Sequence, residues 1–219
     1  MTMNTKMIFG GALVASLLAS TAFAETSASA MTELNLRAGP GPVHDILGVI
    51  PEGGSVSVLG CLEAANWCEV SYDGTQGWAY GEYLETEIEA KPVALTAPEA
   101  RTRVTVVEHQ DNTGANAVAG GTAGAIAGAI VGGPLGAAVG AVIGMGAGGA
   151  ATPTETTVTY VRENPVDHVY LDGEVVVGSG LPEGVTLQPV PESEYHYAYI
   201  NGVPVIVDST ERRVLHIVR

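Results

Sequence analysis

Glycine occupies positions 120, 124, 128, 132, 136, 140, 144 and 148, every fourth residue without interruption. The 43 residues from Asn112 to Thr154 that contain this stripe carry no charge. On an α-helix, positions i and i+4 lie on nearly the same face, so the glycines from Gly120 to Gly148 form one slowly turning surface. A glycine surface lets a second helix backbone approach closely, the use made of G-x-x-x-G in lipid. Between the glycines stand Ile126, Ile130, Val131, Leu135, Val139, Val142 and Ile143, which suit contact with lipid. In water such a helix is poor, because each glycine costs about 1 kcal/mol relative to alanine.

Gly132-Gly133-Pro134 divides the stretch 117–150 into two arms, 117–132 and 135–150. As a helix each arm rises about 24 Å, short of a ~30 Å hydrocarbon core. A single span would place the segments before and after it on opposite sides of a membrane. No Lys/Arg cluster marks a cytoplasmic flank. The favoured reading is therefore a glycine-zipper helical hairpin, inserted in a membrane or self-associating, with Gly120, Gly124, Gly128, Gly132, Gly136, Gly140, Gly144 and Gly148 as its packing face. A single span and a Gly/Ala linker without fixed structure are the alternatives. The linker reading leaves the strict period of four unexplained.

The N-terminus sets the compartment. Lys6 precedes the apolar run MIFGGALVASLLA, and Ala22-Phe23-Ala24 forms an A-x-A cleavage pattern. Residues 1–24 read as a secretory signal peptide whose apolar core is too short to span a membrane. No cysteine follows the cleavage point to take a lipid anchor. The chain is expected to be exported, to the periplasm or cell envelope, with outer-membrane association through the glycine arms. Without the leader, 8 basic residues face 24 acidic ones, a formal charge of −16. That field repels nucleic acid and anionic lipid headgroups. Cys61 and Cys68 are the two cysteines. In an oxidising compartment so close a pair usually forms a structural disulfide, with two reduced core cysteines as the alternative.

Residues 32–86 read as short strands between turns. "TELNLRAGPGP" alternates Leu34 and Leu36 and breaks at Gly39-Pro40-Gly41-Pro42. "ILGVI" stops at Pro51-Glu52-Gly53-Gly54, "SVSVLG" alternates Val56 and Val58, and "WCEVSY" ends at Asp73-Gly74. "QGWAY" and "EYLE" close the segment. Five or six strands in so short a stretch make a small barrel with a thin core.

The run "LNLRAGPG", "VIPEGGSVSVLG", "WCEV" and "GWAYGEYL" resembles the bacterial SH3-like domain of cell-envelope proteins. Asn35 to Pro40 and Gly77 to Leu84 carry its most specific marks, and the expected domain covers 30–86. The resemblance implies that Cys61 and Cys68 face each other across the strand pair 55–61 and 67–72. Closing that loop contributes roughly 2–3 kcal/mol in the chain-entropy account. It also implies a groove in which aromatic side chains meet an extended peptide or glycan stem. Asn35, Arg37, Trp67, Tyr80 and Tyr83 are the candidate ligand-binding residues, with Arg37 also suited to loop carbonyls and Trp78 to the core.

Residues 87–116 read as a linker with one strand candidate, "RVTVVEH" at 103–109. After the glycines, "TTVTYVRE" at 156–163 repeats the β-branched character, and the two runs are candidates to pair as strands. The region 155–219 is again strand and turn. "HVYLDGEVVVG" has an Asp-Gly turn and "YHYAYINGVPVIVD" an Asn-Gly turn, and "RRVLHIV" follows. With the intervening "GLPEGVTLQPVP", this order is similar to a domain family of unknown function in Gram-negative envelope proteins, which brings no activity with it.

Catalytic constellations are missing from the sequence. There is no G-x-S-x-G, H-E-x-x-H or C-x-x-C, and a cysteine hydrolase would need a free thiol beside histidine. His44, His109, His168, His196 and His216 are scattered, without metal-ligand spacing. Neither enzyme, metal nor cofactor is expected. The fold class is mainly β: a small SH3-like barrel, a Gly/Ala-rich helical hairpin and a small C-terminal β-rich domain. The expected function is non-enzymatic scaffolding in the cell envelope. The barrel would bind peptidoglycan peptide or an envelope protein, and the hairpin would enter a membrane or form a homo-oligomer. The alternative is a soluble periplasmic regulatory or stress protein that binds protein partners. No nucleic-acid partner is expected.

Overall fold

A computed structural model describes residues 26–63, 65–109 and 152–219 of the chain. The expected leader at 1–24 and the expected glycine hairpin at 117–150 lie outside the described residues. The rest is mainly β, in two sheets.

The first sheet has eight strands in the order β3-β2-β6-β5-β4-β1-β7-β8. These are β1 (Thr26–Ala30), β2 (Leu34–Arg37), β3 (Ile46–Ile50), β4 (Ser55–Cys61), β5 (Trp67–Tyr72), β6 (Thr75–Tyr80), β7 (Leu84–Ile88) and β8 (Lys91–Ala94). Period-two alternation sets the inner face. Val56 and Val58 of β4 point inward with Val70, Leu34, Leu36 and Ile50, and Tyr83 and Leu84 close the core. The Asp73-Gly74 turn between β5 and β6 puts both residues at positive φ, 47° and 77°, as a tight hairpin of that sequence requires.

Cys61 and Cys68 are direct partners in the β4–β5 ladder and are joined by a disulfide. The bridge closes the end of the hairpin where β4 has an irregular register at Val58–Gly60. Gly60 is required there for another reason. A Cβ on it would lie 2.4 Å from the Val107 side chain and 2.8 Å from the Thr105 carbonyl. That close approach lets residues 105–107 run along β4, with the Cys61 amide donating to Thr105 O and the Val107 amide to Cys61 O. The stretch expected as a linker is thus folded as far as 109: β8 pairs with β7, a short helix α1 (Pro98–Arg101) follows, and Val106 bridges to Cys61.

The pairing expected between 103–109 and 156–163 does not occur. Residues 155–163 form a helix, α2 (Glu155–Glu163). Thr154 caps it by accepting from the Thr157 amide at 3.3 Å, Glu155 sits in the first turn and Arg162 in the last. Thr157 and Val161, four apart, make its buried side. Capping, end charges and a helical apolar period together outweigh the β preference of Thr and Val.

The second sheet comprises β9 (His168–Val169), β10 (Gln188–Pro189), β11 (Tyr195–Ile200), β12 (Val203–Asp208) and β13 (Arg213–Ile217). Asn201-Gly202 turns β11 into β12 with φ of 52° and 84°, as the sequence indicates. One face of the sheet packs Tyr195, Tyr197, Tyr199 and Ile206 against α2. Tyr197 and Tyr199 donate their hydroxyls to the Asn164 and Val161 carbonyls, so both buried phenols are satisfied at the helix end. The other face packs Ala198, Ile200, Val205 and Val207 under Leu171, Leu181 and Val185. The hairpin expected around Asp172-Gly173 is absent. After β9, which pairs in parallel with β11, residues 170–178 leave the sheet and run to the first sheet.

Candidate binding site

β2 presents Asn35 and Arg37, and both are buried, at 0% and 1% exposure. The reason is the segment Leu171–Val176. Glu174, itself fully buried, places its carboxylate against them. Arg37 grips it in a two-point fork, Nε to Oε2 and Nη2 to Oε1, the latter at 2.8 Å. Asn35 Nδ2 donates to the same Oε1 at 3.2 Å, and the Val175 amide does so at 3.1 Å. The remaining guanidinium hydrogens go to carbonyls: Nη1 to Pro42 and His44 at 3.0 and 2.9 Å, and Nη2 to Asn201 at 2.9 Å. All five N–H groups of Arg37 are therefore placed. A buried charge pair is tolerable only when satisfied in this way.

Asn201 ties the segment to its own sheet. Its side chain accepts from the Leu171 amide at 2.8 Å and donates to Gly173 O at 3.0 Å, while its backbone carbonyl accepts from Arg37 Nη2. Gly173, at φ 90°, lies flat against Tyr80, where a Cβ would come within 3.2 Å of the ring. Val176 enters the core of the first sheet, and Ile46 of β3 packs against the core of the second. Arg219, at the C-terminus, reaches Glu33 at 2.6 Å and also donates to Asn35 Oδ1. The two sheets share one buried interface.

Beside Glu174 a polar cleft of about 200 Å³ remains, lined by Asn66, Tyr80, Glu82, Tyr83, Asp172 and Glu174. Trp67 meets Tyr80 edge-on at 5.3 Å, and Tyr80 meets Tyr83 at 5.8 Å. Trp67 and Tyr83 are buried; Tyr80 is half-buried at the cleft wall. Burial pushes the phenols of Tyr80 and Tyr83 up to about 12. Hydrogen bonds from Asn66 to Tyr80, and from Ser179 to Tyr83, oppose that rise. Asn66 also donates to Glu82 at 2.6 Å and accepts from Arg101 at 2.5 Å, so α1 braces the cleft from outside.

The five residues singled out from the sequence thus fall into two adjoining groups. Asn35 and Arg37 hold a carboxylate, and Trp67, Tyr80 and Tyr83 make an aromatic wall next to it. Sequence reasoning missed Glu174, Asp172 and Asn201. Asp172-Gly173 and Asn201-Gly202 are both hairpin-type dipeptides, but only the second turns one strand into the next. Among the described residues, no group of three or more His, Cys, Asp or Glu is placed to hold a metal ion, and no helix is long and apolar enough to cross a membrane.

A barrel of short antiparallel strands, opened by N-L-R-x-G-P and closed by G-W-x-x-x-x-x-L, defines an SH3-like module, here joined to a second β-rich module. The family model for the bacterial SH3 domain matches residues 32–85, and that for the Domain of unknown function (DUF1236) matches residues 160–219. The chain therefore carries a bacterial SH3 domain followed by a DUF1236 domain. Among curated proteins it is similar to the putative N-acetylmuramoyl-L-alanine amidase YrvJ of Bacillus subtilis (strain 168), 32% identical over 60 residues. That stretch is 27% of this chain and 11% of the amidase, so the chain spans about a tenth of that relative's length.

Proposed function

We propose that this chain is a non-enzymatic binding and scaffold protein of the cell envelope, whose SH3 domain recognises peptidoglycan peptide or an envelope protein. The observation that supports this reading best is the SH3 match, together with the 60-residue likeness to a protein named as a putative N-acetylmuramoyl-L-alanine amidase. Half-buried Tyr80, backed by Trp67 and Tyr83, is the aromatic contact at the open cleft. A phenol ring of this kind supplies contact area with little entropy to lose. In this reading residues 117–150 insert in a membrane or join copies of the chain, and export delivers the protein to the envelope.

The test is co-sedimentation of the purified chain from Glu25 to Arg219, disulfide intact, with isolated peptidoglycan sacculi. Retention that falls at least several-fold on Tyr80→Ala is the expected result. Retention no greater than that of a non-binding control would remove the wall as ligand. Flotation with lipid vesicles, with and without 117–150, reads the membrane role separately. Loss of flotation in the deletion is expected, and equal behaviour would discard insertion.

A further inference from the structure

We infer that the face of the SH3 domain formed by Asn35 and Arg37 is a carboxylate-recognition site, and that the C-terminal domain fills it in cis with Glu174 as an internal ligand. An external acidic peptide would then bind there only in competition with residues 171–176. The inference deepens the proposed function, since it rests on the SH3 domain being a binding module and names the ligand chemistry and its control.

Several observations carry it. The carboxylate is held as a ligand is held, by a bidentate guanidinium and an amide donor on one strand of the barrel. The segment that delivers it runs outside the named strands, from Tyr170 through a bend at Gly173 to the turn at Val177–Gly178. It is anchored at one end by Asn201 and at the other by the Gly178 amide donating to Val214 O. Glu174 enters the fork, Val175 the core of the second sheet and Val176 the core of the first. Gly173 lies against the Tyr80 ring, so the backbone passes over the aromatic wall at contact distance. A peptide with an acidic side chain, a glycine before it that can turn at positive φ, and an apolar residue two positions after it reproduces this occupancy. The cleft along Asp172 leaves a polar edge at which such a peptide can start to displace the segment.

The experiment uses the chain from Glu25 to Arg219 as wild type, Glu174→Ala and Glu174→Gln, with sodium propionate as probe and sodium chloride and propionamide as controls. Removing the Glu174 carboxylate vacates the fork while Arg37 stays charged. Propionate should then raise the melting temperature of Glu174→Ala by a few degrees over the chloride control at several times its dissociation constant. It should leave wild type and the space-filling Glu174→Gln unchanged against chloride. If Glu174→Ala does not fold in buffer, propionate is expected to restore its cooperative transition and propionamide is not. A second arm adds the acetylated, amidated peptide LDGEVVVG to Glu174→Ala/Val176→Asp, in which the internal segment is displaced. At least tenfold tighter binding than to wild type, and tenfold preference over the peptide with Gln for Glu, is expected. Equal response to propionate and propionamide, or a wild type that binds the peptide as well as the variant, would overturn the inference. Neither arm uses cell wall, so a failure here is distinct from a failure of sacculus binding.

Discussion

Neutralising Glu174 isolates the contact that joins the two domains. In Glu174→Gln the amide keeps the shape of the side chain, but the fully buried guanidinium of Arg37 loses its counter-charge and Nε meets an N–H₂ group or an uncharged oxygen. Removing one partner of a buried pair costs about 3–5 kcal/mol. In a chain of this size that lowers the melting temperature by roughly 6–20 °C. Arg37→Met should cost more, because the carbonyls of Pro42, His44 and Asn201 lose their donor as well. The double variant Arg37→Met/Glu174→Leu should be less destabilised than the sum of Arg37→Met and Glu174→Leu by about 2 kcal/mol or more, since neither charge is then left alone. Urea and thermal melts of wild type, Arg37→Met, Glu174→Leu and the double variant, read by circular dichroism, give the coupling, and Glu174→Gln is melted beside them. Additivity within about 0.5 kcal/mol, or a Glu174→Gln melt within a degree of wild type, would refute the buried fork.

Three further outcomes follow from the same geometry. Gly173→Ala adds a Cβ at φ 90° against the Tyr80 ring, and should destabilise the chain by more than about 1 kcal/mol in the same melts. Reducing the Cys61–Cys68 bridge, or Cys61→Ser/Cys68→Ser, should cost about 2–3 kcal/mol, read as a lower urea midpoint. Tyr80 and Tyr83 ionise near 12 when folded against 10.0 as free phenols, so the folded state holds their protons more tightly. The stability linked to them is complete below pH 10 and is lost as pH rises toward 12. Ultraviolet titration should show these two phenols ionising late, and ordinary titration near pH 10 in the folded chain would contradict the burial.

Much of the architecture was legible because it rests on local signals. Strand alternation in β4, the Asp73-Gly74 and Asn201-Gly202 turns and the paired cysteines each specify geometry within a few residues. What was not legible depends on partners remote in sequence. Residues 156–163 look like a strand by composition; Thr154 as cap and the apolar side made by Thr157 and Val161 decide for helix. Gly60 gives no warning that 105–107 will lie against it. Arg37 is suited by its place beside the first turn to loop carbonyls, and it donates to those of Pro42 and His44. That the carboxylate is supplied by the chain's own Glu174 depends on a contact 137 residues away, which no short pattern encodes.

The most direct test of the account is differential scanning calorimetry of the chain from Glu25 to Arg219. A shared interface closed by Arg37–Glu174, Val176 and Ile46 requires the two domains to unfold together. The account predicts one transition, with calorimetric and van't Hoff enthalpies in agreement, that Glu174→Gln moves as a whole to lower temperature. Two separate transitions in the wild-type chain, with Glu174→Gln shifting neither, would contradict it.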